Sequence, residues 1–346
     1  MKKMRLGKTE VMITRTGFGA LPVQRRTKED GAKLLRAAFE GGINFFDTAN
    51  AYSDSEEKIG MALSDVRSQV IIATKSGGKD KKTVARHIQM SLERMKTDYI
   101  DLLQFHNPAE LPDPNDPDGP YAAALEAKEK GYIRHIGITN HRLNVARAAI
   151  ESGNFETLQF PFSYLAGEQE LELVRACREA DMGFIAMKGL AGGLLTNVTL
   201  CKAFMNQFDN VVPIWGIQFE EQLQQWLDAE AAEPQMNEEL TAILEKEKAA
   251  LAGSFCRGCG YCLPCPAGIE IFTMARLDML LTRSPYQQYL TDSFHEKAMK
   301  MADCLHCGAC ASRCPYELNT PKLIEYQLEN YKKFYAAHES EHIHDK

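Results

Sequence analysis

Residues 70–75, Val70-Ile71-Ile72-Ala73-Thr74-Lys75, set four apolar side chains in a row and then turn polar. A strand with one wet face alternates in character, whereas an unbroken apolar run is covered on both faces, as in a parallel sheet flanked by helices. Seven other stretches read as strands: 16–21, 43–48, 99–106, 133–140, 157–162, 183–189 and 211–217. Between the eight lie stretches of helical period at 28–40, 56–63, 82–95, 121–130, 143–152, 170–180, 220–230 and, more weakly, 194–208. Eight strand–helix units predict an α/β fold, a closed (β/α)8 TIM barrel, with an open doubly wound sheet as runner-up. The barrel is preferred because Gly17-Phe18-Gly19 lacks the third glycine of a dinucleotide-binding turn.

A short hairpin precedes the barrel, with Gly7-Lys8 turning between Met4-Arg5-Leu6 and Val11-Met12-Ile13. The expected division is residues 1–230 for the barrel, 231–253 for a charged helical linker, 254–320 for a cysteine-rich domain and 321–346 for a C-terminal helix and a frayed tail. The 45% hydrophobic content supports a packed core, while a net charge of −7 and a pI near 5.8 argue against nucleic acid and anionic membranes as partners. No apolar run approaches the roughly 18 residues of a membrane span. The basic start Met1-Lys2-Lys3-Met4-Arg5 is followed by no apolar segment, so a cytoplasmic protein is expected.

In a barrel enzyme the chemistry gathers at the C-terminal ends of the strands. Four polar residues fall there: Asp47 after Phe45-Phe46, Tyr52 in the following loop, Lys75, and His106 closing Tyr99-Ile-Asp-Leu-Leu-Gln-Phe-His106. Any one of them alone could be a cap or a solvated rim residue. Together they have a chemical logic. A phenol with an ordinary pKa of about 10 keeps its proton at neutral pH, and a neighbouring ammonium lowers that value. The Asp47 carboxylate keeps Lys75 cationic, and a neutral His106 imidazole can aim a substrate oxygen at the phenol. Such a set protonates a carbonyl oxygen while another group supplies electrons to the carbon. The loop 107–120, with five prolines, reads as a stiff edge to the substrate pocket or as a plain connection.

With Asn44-Phe-Phe-Asp-Thr-Ala-Asn-Ala-Tyr52, Ile71-Ile-Ala-Thr-Lys75, Tyr99–His106 and Ile133-Arg-His-Ile-Gly-Ile-Thr-Asn140 in combination, the chain over about residues 4–230 resembles the aldo/keto reductase superfamily. The resemblance implies a (β/α)8 barrel that reduces aldehydes and ketones with NAD(P)H, with the catalytic tetrad on Asp47, Tyr52, Lys75 and His106. It places the nicotinamide carboxamide against Thr139, Asn140 and Gln159, and the cofactor phosphates near Gly189, Leu190, Gly192 and Gly216. Met187 stands where many members carry an aromatic residue against the nicotinamide, and a soft thioether can pack on a ring. The Lys-Ser…Arg pattern for an NADP 2′-phosphate is missing after the eighth strand, where Glu220 and Glu221 would repel a phosphate. NADH is therefore favoured over NADPH, although the same two acids suit the first turn of a helix.

Eight of the ten cysteines form two runs: Cys256-x2-Cys259-x2-Cys262-x2-Cys265-Pro266, and Cys304-x2-Cys307-x2-Cys310-x3-Cys314-Pro315. The second has the spacing of a [4Fe–4S] ferredoxin run, and the first departs by one residue before its fourth cysteine. Two zinc sites are the alternative, but zinc ribbons use paired Cys-x2-Cys units, not triplets. In the ferredoxins that these runs resemble, the fourth cysteine of each serves the other cluster. The resemblance thus assigns Cys256, Cys259, Cys262 and Cys314 to one cluster and Cys304, Cys307, Cys310 and Cys265 to the other. Helix-like residues 271–281 and 293–302 between the runs point to an α-helical ferredoxin-like domain. Cys177 reads as core, and Cys201 carries no assignment.

Three functions are compatible with these features. The first is reduction of a small aldehyde or ketone by NAD(P)H, with Tyr52 as general acid and the clusters as an attached electron-transfer module. In the second, a ferredoxin or other redox partner feeds electrons through the clusters to a flavin or the substrate, because a hydride carries two electrons and a cluster passes one. The third is a redox sensor on a barrel scaffold, against which the full set of Asp47, Tyr52, Lys75 and His106 argues.

Overall fold

All eight apolar runs form strands in the computed structural model, which describes residues 1–251, 255–283, 286–314 and 316–344. The expected boundary at 253–254, Pro315 of the second cysteine run and the last two residues of the tail lie outside the described residues. After the hairpin β1 (Lys3–Arg5) and β2 (Met12–Thr14) come β3 (Gly17–Gly19), β4 (Phe45–Asp47), β5 (Ile71–Ser76), β6 (Ile100–His106), β7 (Ile133–Thr139), β8 (Thr157–Pro161), β9 (Gly183–Met187) and β10 (Val211–Gly216). The sheet closes because β10 pairs in parallel with both β9 and β3, Val211 opposite Phe184 and Ile214 opposite Gly17. That closure decides against the open sheet.

The helices between strands are α1 (Lys28–Glu40), α2 (Ser55–Leu63), α3 (Lys81–Met95), α4 (Pro120–Glu129), α5 (Leu143–Ser152), α6 (Glu168–Glu179), α7 (Val198–Asn206) and α8 (Glu220–Ala232). In α1, Gly31, Leu34, Leu35 and Ala38 are buried at helical spacing, and the Thr27 side chain accepts from Asp30 N at its start. Helix α3 starts on Asp80, which accepts from Thr83 N, and stops at Lys96, whose φ of 52° cannot continue a right-handed helix. The weakly helical stretch 194–208 holds only α7, capped by Asn197.

Side chains alternate along a strand, so one set points into the barrel. At the hairpin end that set is apolar: Phe45, Ala73, Leu102, Ile185 and Val212 pack with Met4, Leu6 and Ile13 of the hairpin region. Two residues further along the same face stand Asp47, Lys75, Gln104 and Met187, and the fold thereby delivers a polar group to one strand end after another.

The chain separates into two compact units, Met1–Leu190 with Asn197–Leu244, and Ala191–Thr196 with Glu245–Lys346. Helix α9 (Glu238–Ala250) runs from the first into the second. The second unit is helical in its described residues, as the spacing between the cysteine runs predicts: α10 (Ile271–Met274), α11 (Leu277–Arg283), α12 (Asp292–Met299), α13 (Ala309–Ser312) and α14 (Thr320–Ala337). Its core includes Met274, Leu277, Met301, Ile324 and Tyr331. The tail expected to fray makes contacts through residue 344. His342 stacks on Tyr335 at 3.7 Å, and Ile343 N donates to Leu290 O at 3.1 Å, so an aromatic platform on α14 holds the segment down.

Candidate active site and cysteine cavities

The acid at the end of β4 is buried, and it is bonded on both oxygens. Lys75 Nζ donates to Asp47 Oδ1 at 2.5 Å and to the Thr48 carbonyl at 2.5 Å. Gln104 Nε2 donates to Asp47 Oδ2 at 3.1 Å, and Gln159 Nε2 reaches Oδ1 at 3.4 Å. Burial drives the Asp47 carboxyl upward against the opposing charge of Lys75, and it drives the Lys75 ammonium downward against Asp47. The loop that carries Tyr52 is stitched along β5: Thr48 N donates to Ala73 O at 2.8 Å and Asn50 N to Lys75 O at 3.0 Å. Lys58 Nζ then holds Asp54 at 2.7 Å and the carbonyls of Val23 and Arg26.

This bracing places the Tyr52 ring edge-on to His106, centroids 5.8 Å apart, with Lys75 Nζ 5.2 Å from the ring centre. One expectation is corrected here. Burial, followed by the Asp47 charge, pushes the Tyr52 phenol above its ordinary value instead of below it. The hydrogen bonds of Lys75 run to Asp47 and Thr48 while its ammonium faces the ring, so desolvation prevails at the phenol. Burial and the Lys75 charge push His106 down to about 3, which leaves the neutral imidazole that the chemistry requires.

Thr139 lies opposite both His106 and Gln159 in the sheet, so the residues expected to meet the carboxamide stand beside the tetrad. Thr139, Asn140 and Gln159 are buried, and Gln159 Oε1 and Gln104 Oε1 have no hydrogen-bond partner among the described residues. An orphaned buried acceptor calls for a donor, and the N–H groups of a carboxamide fit that need. Asn140 is more committed: its Oδ1 accepts from His141 N and Arg142 N, and its Nδ2 donates to Pro108 O at 2.8 Å. Met187 is buried beside Ile185 and Ile214. Gly189 packs so closely on Trp215 that a Cβ there would come within 2.5 Å of the ring. Leu190 is half-buried, and Gly216 is exposed at the end of β10. Gly192 belongs to the second compact unit, where its carbonyl accepts from Arg276 Nη1 at 2.8 Å.

Two residues escaped the sequence reading. Gln104 had a signal, since it lies two positions before His106 and so shares its face. Glu56 had none: a helical acid reads as solvated, yet it is buried, accepts from Thr74 and Ser91 at 2.6 Å each, and pulls Lys75 back toward its charged form.

In the second unit the eight cysteines line two cavities. Cys256, Cys259, Cys262 and Cys314 stand around one, and Cys265, Cys304, Cys307 and Cys310 around the other, with Cys262 touching both. The thiols surround each cavity instead of meeting at a point. Among the described residues no three His, Cys, Asp or Glu side chains could grip a single ion. Tetrahedral zinc needs four sulfurs at about 2.3 Å from one centre. A cubane, with iron at its corners, takes thiolates that are spread apart. Cys177 and Cys201 are buried in the barrel unit, Cys177 as expected. Among the described residues no helix is long and apolar enough to cross a membrane.

Comparison with known proteins agrees with this geometry. Residues 15–210 match the aldo/keto reductase family, and residues 255–319 match a 4Fe-4S dicluster domain. The chain is 31% identical over 217 residues to the uncharacterized oxidoreductase YqkF of Bacillus subtilis, covering 59% of this chain and 69% of that protein. It is 28% identical to the NADH-specific methylglyoxal reductase of Escherichia coli, covering 57% of this chain and 69% of that one. In fold it is similar to the holo form of aldo-keto reductase AKR11C1 from Bacillus halodurans, with a TM-score of 0.63 and 24% identity over 71% of this chain and 96% of that one. The chain therefore belongs to the aldo/keto reductase family, as an NAD(P)H-dependent oxidoreductase with a C-terminal 4Fe-4S dicluster domain.

Proposed function

We propose that the barrel reduces a small aldehyde or ketone to the alcohol, with Tyr52 as the proton donor. The observation that carries this reading is the constellation itself: a half-buried phenol with an imidazole edge-on beside it, next to a buried ammonium tied to a carboxylate. NAD(P)H, when bound, supplies the hydride to the carbonyl carbon. Neutral His106 hydrogen-bonds the substrate oxygen and directs it to the phenol. Tyr52 gives up its proton as negative charge builds on that oxygen, and the Lys75 ammonium, held by Asp47 and Thr48, stabilises the phenolate left behind. Gln159, whose Oε1 has no partner among the described residues, and Thr139 would hold the carboxamide, and Met187 would pack against the ring. Gly189, Leu190, Gly192 and Gly216 keep their proposed place near the phosphates.

NADH is the proposed donor. Glu220 and Glu221 occupy the exposed first turn of α8, where they would meet a 2′-phosphate with like charge. Arg26, whose guanidinium lies over the Phe219 ring at 5.2 Å, is already paired with Asp30 at 3.6 Å. In the second unit, Cys256, Cys259, Cys262 and Cys314 are the proposed ligands of one [4Fe–4S] cluster, and Cys265, Cys304, Cys307 and Cys310 of the other. The eight cysteines also suit a second reading, in which a ferredoxin or other redox partner sends single electrons through the clusters to a flavin or the substrate. An anaerobic assay over a panel of aldehydes and ketones separates the two. Carbonyl-dependent oxidation of NADH, faster than that of NADPH, is expected. Oxidation of neither nucleotide, with turnover only when a reduced ferredoxin is supplied, would overturn the first reading.

A further inference from the structure

The two cysteine-lined cavities differ in the charge around them. The wall of the cavity formed by Cys256, Cys259, Cys262 and Cys314 includes Arg257 and, among the described residues, no carboxylate. A second cation stands behind that wall. Arg276, at the N-terminal edge of α11, is only 9% exposed. Its guanidinium lies against Gly258, where a Cβ would meet Nη1 at 2.8 Å, and Gly258 N donates to Cys256 Sγ at 3.4 Å. Gly258 has a φ of +65°, a turn that glycine adopts without strain, so the backbone both aims its N–H at the sulfur and leaves room for the arginine. Arg276 is pinned there, since Nη1 also donates to the Gly192 carbonyl at 2.8 Å.

The other cavity has apolar side chains such as Ile269, Leu305 and Ile324 between its cysteines, and no charged side chain among the described residues of its wall. The charges near it face water. Arg313 Nη1 reaches the Pro264 carbonyl at 3.1 Å, and His306 lies 3.5 Å from Glu325. Exposed charges are screened, whereas a buried guanidinium keeps its charge and acts through a low dielectric. The potential of an iron–sulfur cluster depends on the charge and hydrogen bonding around its sulfurs. Reduction adds one electron's negative charge, and a fixed cation stabilises that state.

We propose that Arg276 tunes the cluster site of Cys256, Cys259, Cys262 and Cys314 to a higher reduction potential than that site would otherwise have, which makes the two clusters inequivalent. The inference rests on the reading that both cavities hold [4Fe–4S] clusters, and the experiment separates the two claims. The full chain is purified without oxygen, its iron is counted, and dithionite titrations are followed by electron paramagnetic resonance. Wild-type protein with about eight iron atoms supports the cluster reading, at four per cubane. Colourless protein without iron would sink that reading before the tuning is tested. A Cys307→Ser variant identifies the signal of the other cluster. Arg276→Gln should then make the remaining signal about tenfold harder to reduce at equilibrium, about 59 mV for one electron, while Arg276→Lys retains most of the wild-type value. An unchanged midpoint in Arg276→Gln at full iron, equal shifts of both clusters, or an equal shift in Arg276→Lys would each overturn the proposal. If Arg276→Gln fails to hold iron, Arg276→Met, an uncharged side chain of similar length, decides: a lowered midpoint for the same signal supports electrostatic tuning, and no shift rejects it.

Discussion

In the proposed reaction Tyr52 must hold its proton at neutral pH and release it only as charge develops on the substrate oxygen. Burial and Asp47 raise its pKa, and the same burial, helped by Lys75, lowers that of His106 to about 3. The sign of each shift matters for the pH profile. His106 gains a proton only as pH falls toward about 3, and Tyr52 loses its own only above the usual phenol range of about 10. Turnover number measured from pH 5 to pH 9 should therefore be flat. An acid limb centred near 6.5 would show that His106 titrates as an exposed histidine and that the desolvation and Lys75 charge described here do not govern it. Asp47, Tyr52, Lys75 and His106 were legible in the sequence because each breaks an apolar strand at its end or in the loop that follows. The balance at Tyr52 was not legible. It depends on how deeply the loop 48–54 folds over the phenol, and on Lys75 turning its hydrogen bonds toward Asp47.

The eight strands were readable at the level of elements because a strand covered on both faces has no polar position to confuse the pattern, as Val70–Ala73 shows. Strand ends were less clear: the run 16–21 yields only Gly17–Gly19 as strand. Helix α7 was blurred because Asn197 starts it late, after a segment that lies in the other compact unit. A polar stitch between β7 and β8 also left no trace in the pattern. Glu156 accepts from His135 Nδ1 at 2.7 Å, Lys128 Nζ at 2.8 Å and Ile136 N at 3.0 Å. Burial would raise its pKa, but these donors prevail and hold it at about 2. A carboxylate depressed in this way adds stability above its unfolded value of about 4.3, and loses it as pH falls from there toward 2. Glu156→Gln should cost about 2 kcal/mol of unfolding free energy at pH 7. In urea denaturation the gap between variant and wild type should close as pH approaches 2, and a gap that does not change with pH would contradict the ionic role.

On the scale of the whole molecule, two units with different chemistry share one chain. The cysteine spacing announced the second unit, and the apolar runs announced the first. The sequence did not show that Ala191–Thr196 is grouped with the cysteine region, because that grouping depends on Arg276 meeting Gly192, 84 positions away in sequence. Nor could spacing show that Arg276 is buried behind one cavity, while the described residues of the other cavity's wall include no charged side chain. The central claim is that carbonyl reduction takes place in the barrel, with the proton from Tyr52. The most direct test is carbonyl-dependent oxidation of the nicotinamide by Tyr52→Phe, compared with wild type at equal iron content and with nucleotide affinity measured separately. Turnover should fall by a factor of about 10² to 10⁴, the usual contribution of a positioned general acid, while iron and nucleotide binding stay unchanged. Undiminished turnover in that variant would contradict the account.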